Sequence, residues 1–458
     1  MQSQNGSMNP QSFYSNPNMI NPSQQHSMYS QYQSKNPYIQ NIQTSNQKSF
    51  QHGNPIMNNQ NTNPSPQIES SFPNQNNFSQ SKIGKSSFKA SRNKSPPQIM
   101  NSSSGKLIDN SGNDYAVFNN EEKDEEEIKK SVAKEFNNIV KKSMALETKK
   151  IDKTIGDGFR TFAQLTKGGK NQKGEKKKNQ DTPLIHVNCG GISGFNLFGV
   201  LDGHGNDGHL VSQYCRNYFI KKMSEYAAFC KKKNLMTAEA IYNDLKQNKF
   251  SYIIDIFNKA DIEMANQNDF DCSLSGTTCS LVIQLNKYLI SASVGDSRAI
   301  VIEDKGDNKN SGIVQLSRDQ RPDLPEEMKR IISSGGMVDK MTCKGEKVGP
   351  PRVWKKGDNY PGLSMSRTLG DLKAKKYGVI ATPEIIEYKL NRNSRYLLLC
   401  SDGVWLYIPN EQVRDLGNIF YNKNDVGNFC TELVKFAIYS WEQNDIMRDD
   451  ITVVCVYF

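Results

Sequence analysis

From about Thr154 onward the chain is built of short apolar runs broken by Gly, Asn and Asp, with a few longer helical stretches among them. Leu281, Val282 and Ile283, then Leu289 and Ile290, flank the turn signal Asn286, Lys287 and predict a hairpin. Helical patterning runs over about 209–233, 237–265, 325–334 and 424–442. Strands gathered in hairpins with helices in separate groups point to an α+β fold rather than a doubly wound parallel sheet. Ahead of this region, Ile128, Val132, Phe136, Ile139 and Val140 fall at i, i+4, i+8, i+11 and i+12, one amphipathic stripe within a charged segment over 121–150. That segment opens acidic and ends with Lys141, Lys142, Lys149 and Lys150, a polarity that complements a helix dipole. A helix packed on the following domain and a partner-binding or autoregulatory helix fit this pattern equally well.

Composition divides the chain unevenly. Residues 1–120 are dominated by Asn, Gln, Ser and Pro, hold no Cys or Trp, and carry Glu69 as the one acidic residue before Asp109. Such a stretch cannot bury enough apolar surface to offset its ordering entropy, so it reads as a disordered tail, an inert spacer or a self-associating segment that recruits protein partners. The formal charge of +10 lies largely in this tail and in one Lys-rich loop, which reads as a solvated face rather than a nucleic-acid site. The N-terminus lacks a secretory pattern, Gln2 excludes N-myristoylation, and no apolar run is long enough for a membrane span. Nine scattered cysteines, all from Cys189 onward, fit reduced thiols better than a disulfide framework, and the expected location is the cytoplasm or nucleus.

The chemistry is carried by carboxylates at strand margins. The apolar run Phe198, Gly199, Val200, Leu201 ends in Asp202, Gly203, His204, Gly205. Tyr396 through Ser401 leads into Asp402 and Gly403, and Asp449 and Asp450 stand just before Ile451, Thr452, Val453, Val454. A carboxylate in low dielectric demands a counter-charge, either a basic side chain or a bound cation. The donors are all hard oxygens, which favours magnesium or manganese. Zinc is disfavoured, because five histidines, two of them in the tail, and no CxxC spacing leave few soft ligands. One Asp-Gly pair alone would be no more than a turn signal, and the stretch from Asp202 is not an EF-hand, since Gln213 stands where the closing Glu belongs.

These residues carry a resemblance. Asn179, Gln180, Asp181, then Asp202, Gly203, His204, Gly205, then Ser275, Gly276, Thr277, Thr278, then Gly295, Asp296, Ser297, Arg298 follow one another in the order found in metal-dependent type 2C protein serine/threonine phosphatases. Ser366, Arg367, Thr368, Leu369, Gly370, Asp371, then Ser401, Asp402, Gly403, Val404, Trp405, and Arg448, Asp449, Asp450, Ile451, Thr452 complete the set. The resemblance implies a four-layer α-β-β-α sandwich of two antiparallel sheets over 151–458, with a flap inserted at about 317–375. It also implies two metal ions, Mg2+ or Mn2+, that activate a bridging water against phosphoserine or phosphothreonine. Asp202 would bridge both ions, the Gly203 carbonyl would bind one, Asp402 and Asp449 the other, and Asp181 would anchor metal-bound water. His204 would protonate the leaving alkoxide.

Three departures from the common pattern stand out. Lys176 occupies the place of a phosphate-binding arginine, with Lys177 or Lys178 able to share the role, and Gln180 replaces a common Glu. Leu406 follows Trp405 where an acidic residue is usual, so a third metal on Asp296 lacks its partner. With every carboxylate of the metal pair present, an active, monomeric catalytic domain acting on phosphoproteins is expected, and a pseudophosphatase that only binds them is the alternative.

Overall fold

A computed structural model describes residues 125–145, 158–305, 312–343, 345–445 and 447–458, together with the backbone of 106–108 and 114–116, which pair as a short hairpin. The expected disordered tail over 1–120 lies almost wholly outside these residues. Numbering starts after the hairpin, with helix α1 at Glu125–Met144.

Two five-stranded antiparallel sheets make the centre. The first contains β1 (Thr161–Lys167), β8 (Arg298–Glu303), β9 (Gly312–Gln315), β15 (Ser394–Cys400) and β16 (Ile451–Tyr457), in the order β9-β8-β15-β16-β1. The second contains β2 (Thr182–His186), β3 (Phe195–Leu201), β6 (Cys279–Leu285), β7 (Tyr288–Val294) and β14 (Glu384–Lys389), in the order β14-β7-β6-β3-β2. Their central strands are apolar on both faces because each face has a core to fill. Along β15, Leu397 and Leu399 point between the sheets, while Tyr396, Leu398 and Cys400 point at the helices outside, the two-residue period of a strand. In β3 the same alternation sends Phe198 and Val200 inward and Leu197 and Leu201 outward. The outer layers are α2 (Gly208–Lys232), α3 (Ala238–Gln247) and α4 (Ser251–Ala265) on one side, and α8 (Asn410–Asn422) and α9 (Val426–Asn444) on the other. The α+β class and the four-layer sandwich expected from the sequence are the observed architecture.

Helix α1 joins the second helical layer. Ile139 is buried in that core, Phe136 meets Phe436 with ring centroids 5.2 Å apart, and Ser131 Oγ lies 2.7 Å from the Tyr439 hydroxyl. Lys423 Nζ donates to the carbonyls of Ser143 and Met144 at 2.7 and 2.9 Å, closing the helix with a positive charge at its negative end.

One helical expectation needs correction. The stretch over 237–265 is two helices, because Lys249 and Phe250 both take left-handed backbone conformations, with φ of 51° and 55°. Burial of the Phe250 ring and the Phe250 N–H bond to the Leu245 carbonyl at 2.8 Å hold this turn against its strain.

Between β9 and β14 the chain forms a flap: α5 (Pro325–Ser333) and a three-stranded sheet of β10 (Gly336–Cys343), β11 (Glu346–Lys355) and β12 (Pro361–Leu363). Its small apolar core includes Ile331, Val353, Leu363 and Val379. Its root is ionic. Glu327 is wholly buried and accepts from Arg330 Nη2 and Arg367 Nη2, each at 2.6 Å, while Arg367 Nη2 also reaches Glu384 at 3.2 Å. Burial opposes the charge on Glu327, but Arg367 and Arg330 outweigh it and hold the carboxyl far below the usual range.

Candidate metal centre and active site

Strand register brings the carboxylates to one end of the sandwich. Thr182 pairs with Leu201, so Asp181 and Asp202 emerge side by side from β2 and β3. Arg298 pairs with Cys400 and Cys400 with Val453, which sets Asp296, Asp402 and Asp449 at the same end of the other sheet. Short bonds fix the connecting turns. Asp202 N–H donates to Thr278 Oγ1 at 3.0 Å, and Thr278 N–H returns a bond to the Asp202 carbonyl at 2.8 Å. Ser401 Oγ donates to Asp181 Oδ2 at 2.8 Å and accepts from Thr452 N–H at 2.9 Å, tying β2 to β16. Two indoles clamp the turn after Asp402: Trp405 Nε1 donates to the Cys400 carbonyl and Trp441 Nε1 to the Gly403 carbonyl, at 2.9 and 2.7 Å.

The cluster is short of positive charge. Burial first, then the neighbouring carboxylates, raises Asp202 and Asp402 well above the usual range. Burial and Asp450 push Asp181 up to about 7, and burial with Asp319 pushes Asp296 up to about 6. The second oxygens, Oδ1 of Asp181 and Oδ1 of Asp402, are buried with no hydrogen-bond partner. An unpaired buried carboxylate oxygen is costly, so these atoms fit a cation. Among the described residues, no three carboxylate, imidazole or thiolate groups already close around a single point. The carboxylates stand near enough to raise one another without being drawn into a cage, and Asp449 is engaged elsewhere.

That partner is a lysine. The segment over 168–178 is a small hairpin laid against Arg448 and Asp450: Lys170 N–H donates to the Arg448 carbonyl at 2.8 Å, and the two Asp450 oxygens accept Gly169 N–H at 2.6 Å and Gln180 N–H at 2.9 Å. Only glycine fits at 169, where a Cβ would lie 2.2 Å from the Arg448 carbonyl oxygen. The returning strand alternates, so Lys177 points inward while Lys176 and Lys178 are exposed. Lys177 Nζ sits 2.5 Å from Asp449 Oδ1 and 3.7 Å from Asp450 Oδ2. Burial opposes its charge, but Asp449 and Asp450 raise its pKa above the usual lysine value. Of the three candidate lysines, Lys177 is the one whose ammonium reaches the carboxylates. Lys178 Nζ instead lies 2.5 Å from Nε2 of His209, in the first turn of α2.

His204 stands on the short strand β4 (Gly203–His204), paired to β5 (Gly276–Thr277). Its Nε2 is 2.7 Å from Oδ2 of the buried Asp371, and its Nδ1 is buried without a partner. A Cβ at Gly276 would lie 2.1 Å from that Asp371 oxygen, so the pair can form only over glycine. Burial disfavours the imidazolium, yet Asp371 and Asp296 outweigh it and raise the pKa above its ordinary value. Asp371 and Asp450 are the residues that sequence reasoning left without a role, and Lys177 entered there only as able to share the role of Lys176. Near Asp296, Arg298 grips Asp319 through Nε and Nη2 at 3.1 and 2.7 Å and lies 5.0 Å over the Trp405 ring. Leu406, one turn after Asp402, is 59% exposed.

Comparison with known proteins places this arrangement. The family model described as Protein phosphatase 2C matches residues 167–446, more than half of the chain. A probable protein phosphatase 2C 34 of Arabidopsis thaliana is 30% identical over 346 residues, covering 72% of this chain and 90% of its own length. A probable protein phosphatase 2C 48 of Oryza sativa is 29% identical over 316 residues, covering 66% of this chain and 85% of its own. Among solved structures, the serine-threonine phosphatase 2C of Toxoplasma gondii superposes with a TM-score of 0.56 at 20% identity, over 68% of this chain and 98% of that one, a likeness of fold. The ordered motifs, the two-sheet sandwich with its carboxylate end and the family match agree: the chain belongs to the protein phosphatase 2C family and is a serine/threonine protein phosphatase.

Proposed function

We propose that the chain hydrolyses phosphoserine and phosphothreonine in proteins at a pair of divalent cations, magnesium or manganese, held by Asp202, the Gly203 carbonyl, Asp402 and Asp449, with Asp181 ordering the solvent between them. The observation that carries this reading is the set of mutually repelling carboxylates with orphaned oxygens, short of neutralising charge. When bound, such a pair lowers the pKa of an attacking water and offsets phosphoryl charge. The chain's own residues do the rest. Water gives up one proton to solvent and forms the new bond to phosphorus as the bond to the serine or threonine oxygen breaks; that oxygen takes the proton from His204 Nδ1, which solvent then restores. The Nε2–H stays bonded to Asp371, which keeps the ring charged and aimed. Lys177 adds a point charge beside the phosphoryl group, a role it fits better than the exposed Lys176.

The test is an assay on phosphoserine, phosphothreonine and phosphotyrosine peptides with manganese, with magnesium and with chelator. Chelator-sensitive, manganese-stimulated release of phosphate from the first two is expected. Full activity after metal stripping in excess chelator refutes the metal assignment, and binding without turnover in any metal would make the chain a phosphoprotein-binding relative.

A further inference from the structure

The hairpin that delivers Lys177 carries more charge than the reaction uses. Between Lys167 and Lys178 there are six lysines and one acidic residue, Glu175. Lys177 is bound to Asp449, and Lys170 pairs with Glu442 at 3.6 Å. Lys167, Lys173 and Lys176 are exposed and have no carboxylate within ion-pair distance among the described residues. Read from sequence alone, this run is a solvated basic face. In the fold its place is fixed: Asp450 holds the backbone at both ends of the hairpin, and the inward-pointing Lys177 puts the loop at the lip of the carboxylate cleft.

We infer that this lip selects phosphoprotein substrates with acidic side chains, or further phosphates, close in sequence to the phosphorylated residue. The inference rests on the phosphatase reading above and names the substrate class of the same site. In an extended peptide, a residue two places from the phosphorylated one lies roughly 7 Å away. Lys167 pairs with Ile451, two residues from Asp449, and Lys173 stands four residues before Lys177 on the same hairpin, which puts both exposed ammonium groups within a few peptide residues of the reaction site. The exposed ammonium groups are the local charge that flanking carboxylates or phosphates of a substrate would meet. A membrane or nucleic acid would demand a broad basic face, whereas this one is a single hairpin at the mouth of the cleft.

The experiment compares two phosphothreonine peptides, one with glutamates and one with alanines around the phosphorylated residue, on wild type and on Lys167→Gln/Lys173→Gln. Wild type should favour the acidic peptide about fivefold in kcat/KM, a factor in keeping with a few exposed charge pairs. The preference should collapse at about 0.5 M salt. The double variant should lose most of it while hydrolysing p-nitrophenyl phosphate at the wild-type rate. Fluorescence anisotropy of the same labelled peptides in chelator reads the preference without turnover. Hence absence of any hydrolysis would sink the phosphatase reading, whereas equal binding of both peptides would sink this one. An acidic preference unchanged in the double variant would also overturn it.

Discussion

The carboxylates and the histidine divide the work, and substitutions should separate them. Asp402→Asn and Asp449→Asn should each lower kcat by orders of magnitude, because a neutral amide cannot balance a divalent charge. Near-normal steady-state rates in both would remove them from the metal site. His204→Gln and Asp371→Asn should share one signature, a heavy loss on phosphothreonine peptides and a slight loss on p-nitrophenyl phosphate, whose leaving group needs no proton. Equal losses on both substrates would reduce the dyad to a packing role. Leu406 stands one turn beyond Asp402 and is exposed, so a carboxylate there would lie on the same side of the helix as Asp402. Leu406→Asp should therefore add a weak extra binding event in a calorimetric manganese titration, since affinity for hard cations follows ligand charge. A third event of equal strength in wild type would contradict this.

At the scale of elements, the flap root and helix α1 make the sharpest predictions. Glu327 has a folded-state pKa depressed far below that of the unfolded chain, so its stabilisation is present above about pH 5 and drains away as the pH falls below the unfolded value of about 4.3. Glu327→Gln should cost about 3 kcal/mol at neutral pH by leaving Arg367 and Arg330 short of charge, and it should flatten the acid side of the stability curve. Urea unfolding at several pH values measures both effects, and an unchanged acid slope would show that other carboxylates carry it. Helix α1 packs its stripe on α9, and Phe136→Ala should lower stability by about 2 kcal/mol without changing kcat. A loss of activity at unchanged stability would make α1 a regulator rather than a piece of the core.

For the whole molecule, what was legible in the sequence depended on range. Runs such as Tyr396 to Cys400 ending in Asp402 announce buried strands with a carboxylate at the margin, because two-sided burial and a terminal Asp-Gly are local facts. The pairing of His204 with Asp371 spans 167 positions and depends on a glycine gap in a third segment, so no local pattern carries it. The choice of Lys177 among three neighbouring lysines is set by hairpin register, which one residue of slip would invert. The break at Lys249 and Phe250 uses two residues that propensity assigns to helix or strand, and burial of the ring overrides it. The deepest consequence lies in the strand order. Strand β16 fits between β15 and β1, so the first strand of the domain waits for the last one to find its neighbour. During synthesis every earlier residue of the site leaves the ribosome before Asp449 does, with two strand edges still bare. The nascent chain therefore stays catalytically silent and in need of protection until residue 457 is free. Ribosome-stalled chains ending before Asp449 should be inactive and protease-sensitive, and activity should appear only in chains whose residues through Tyr457 have left the ribosome.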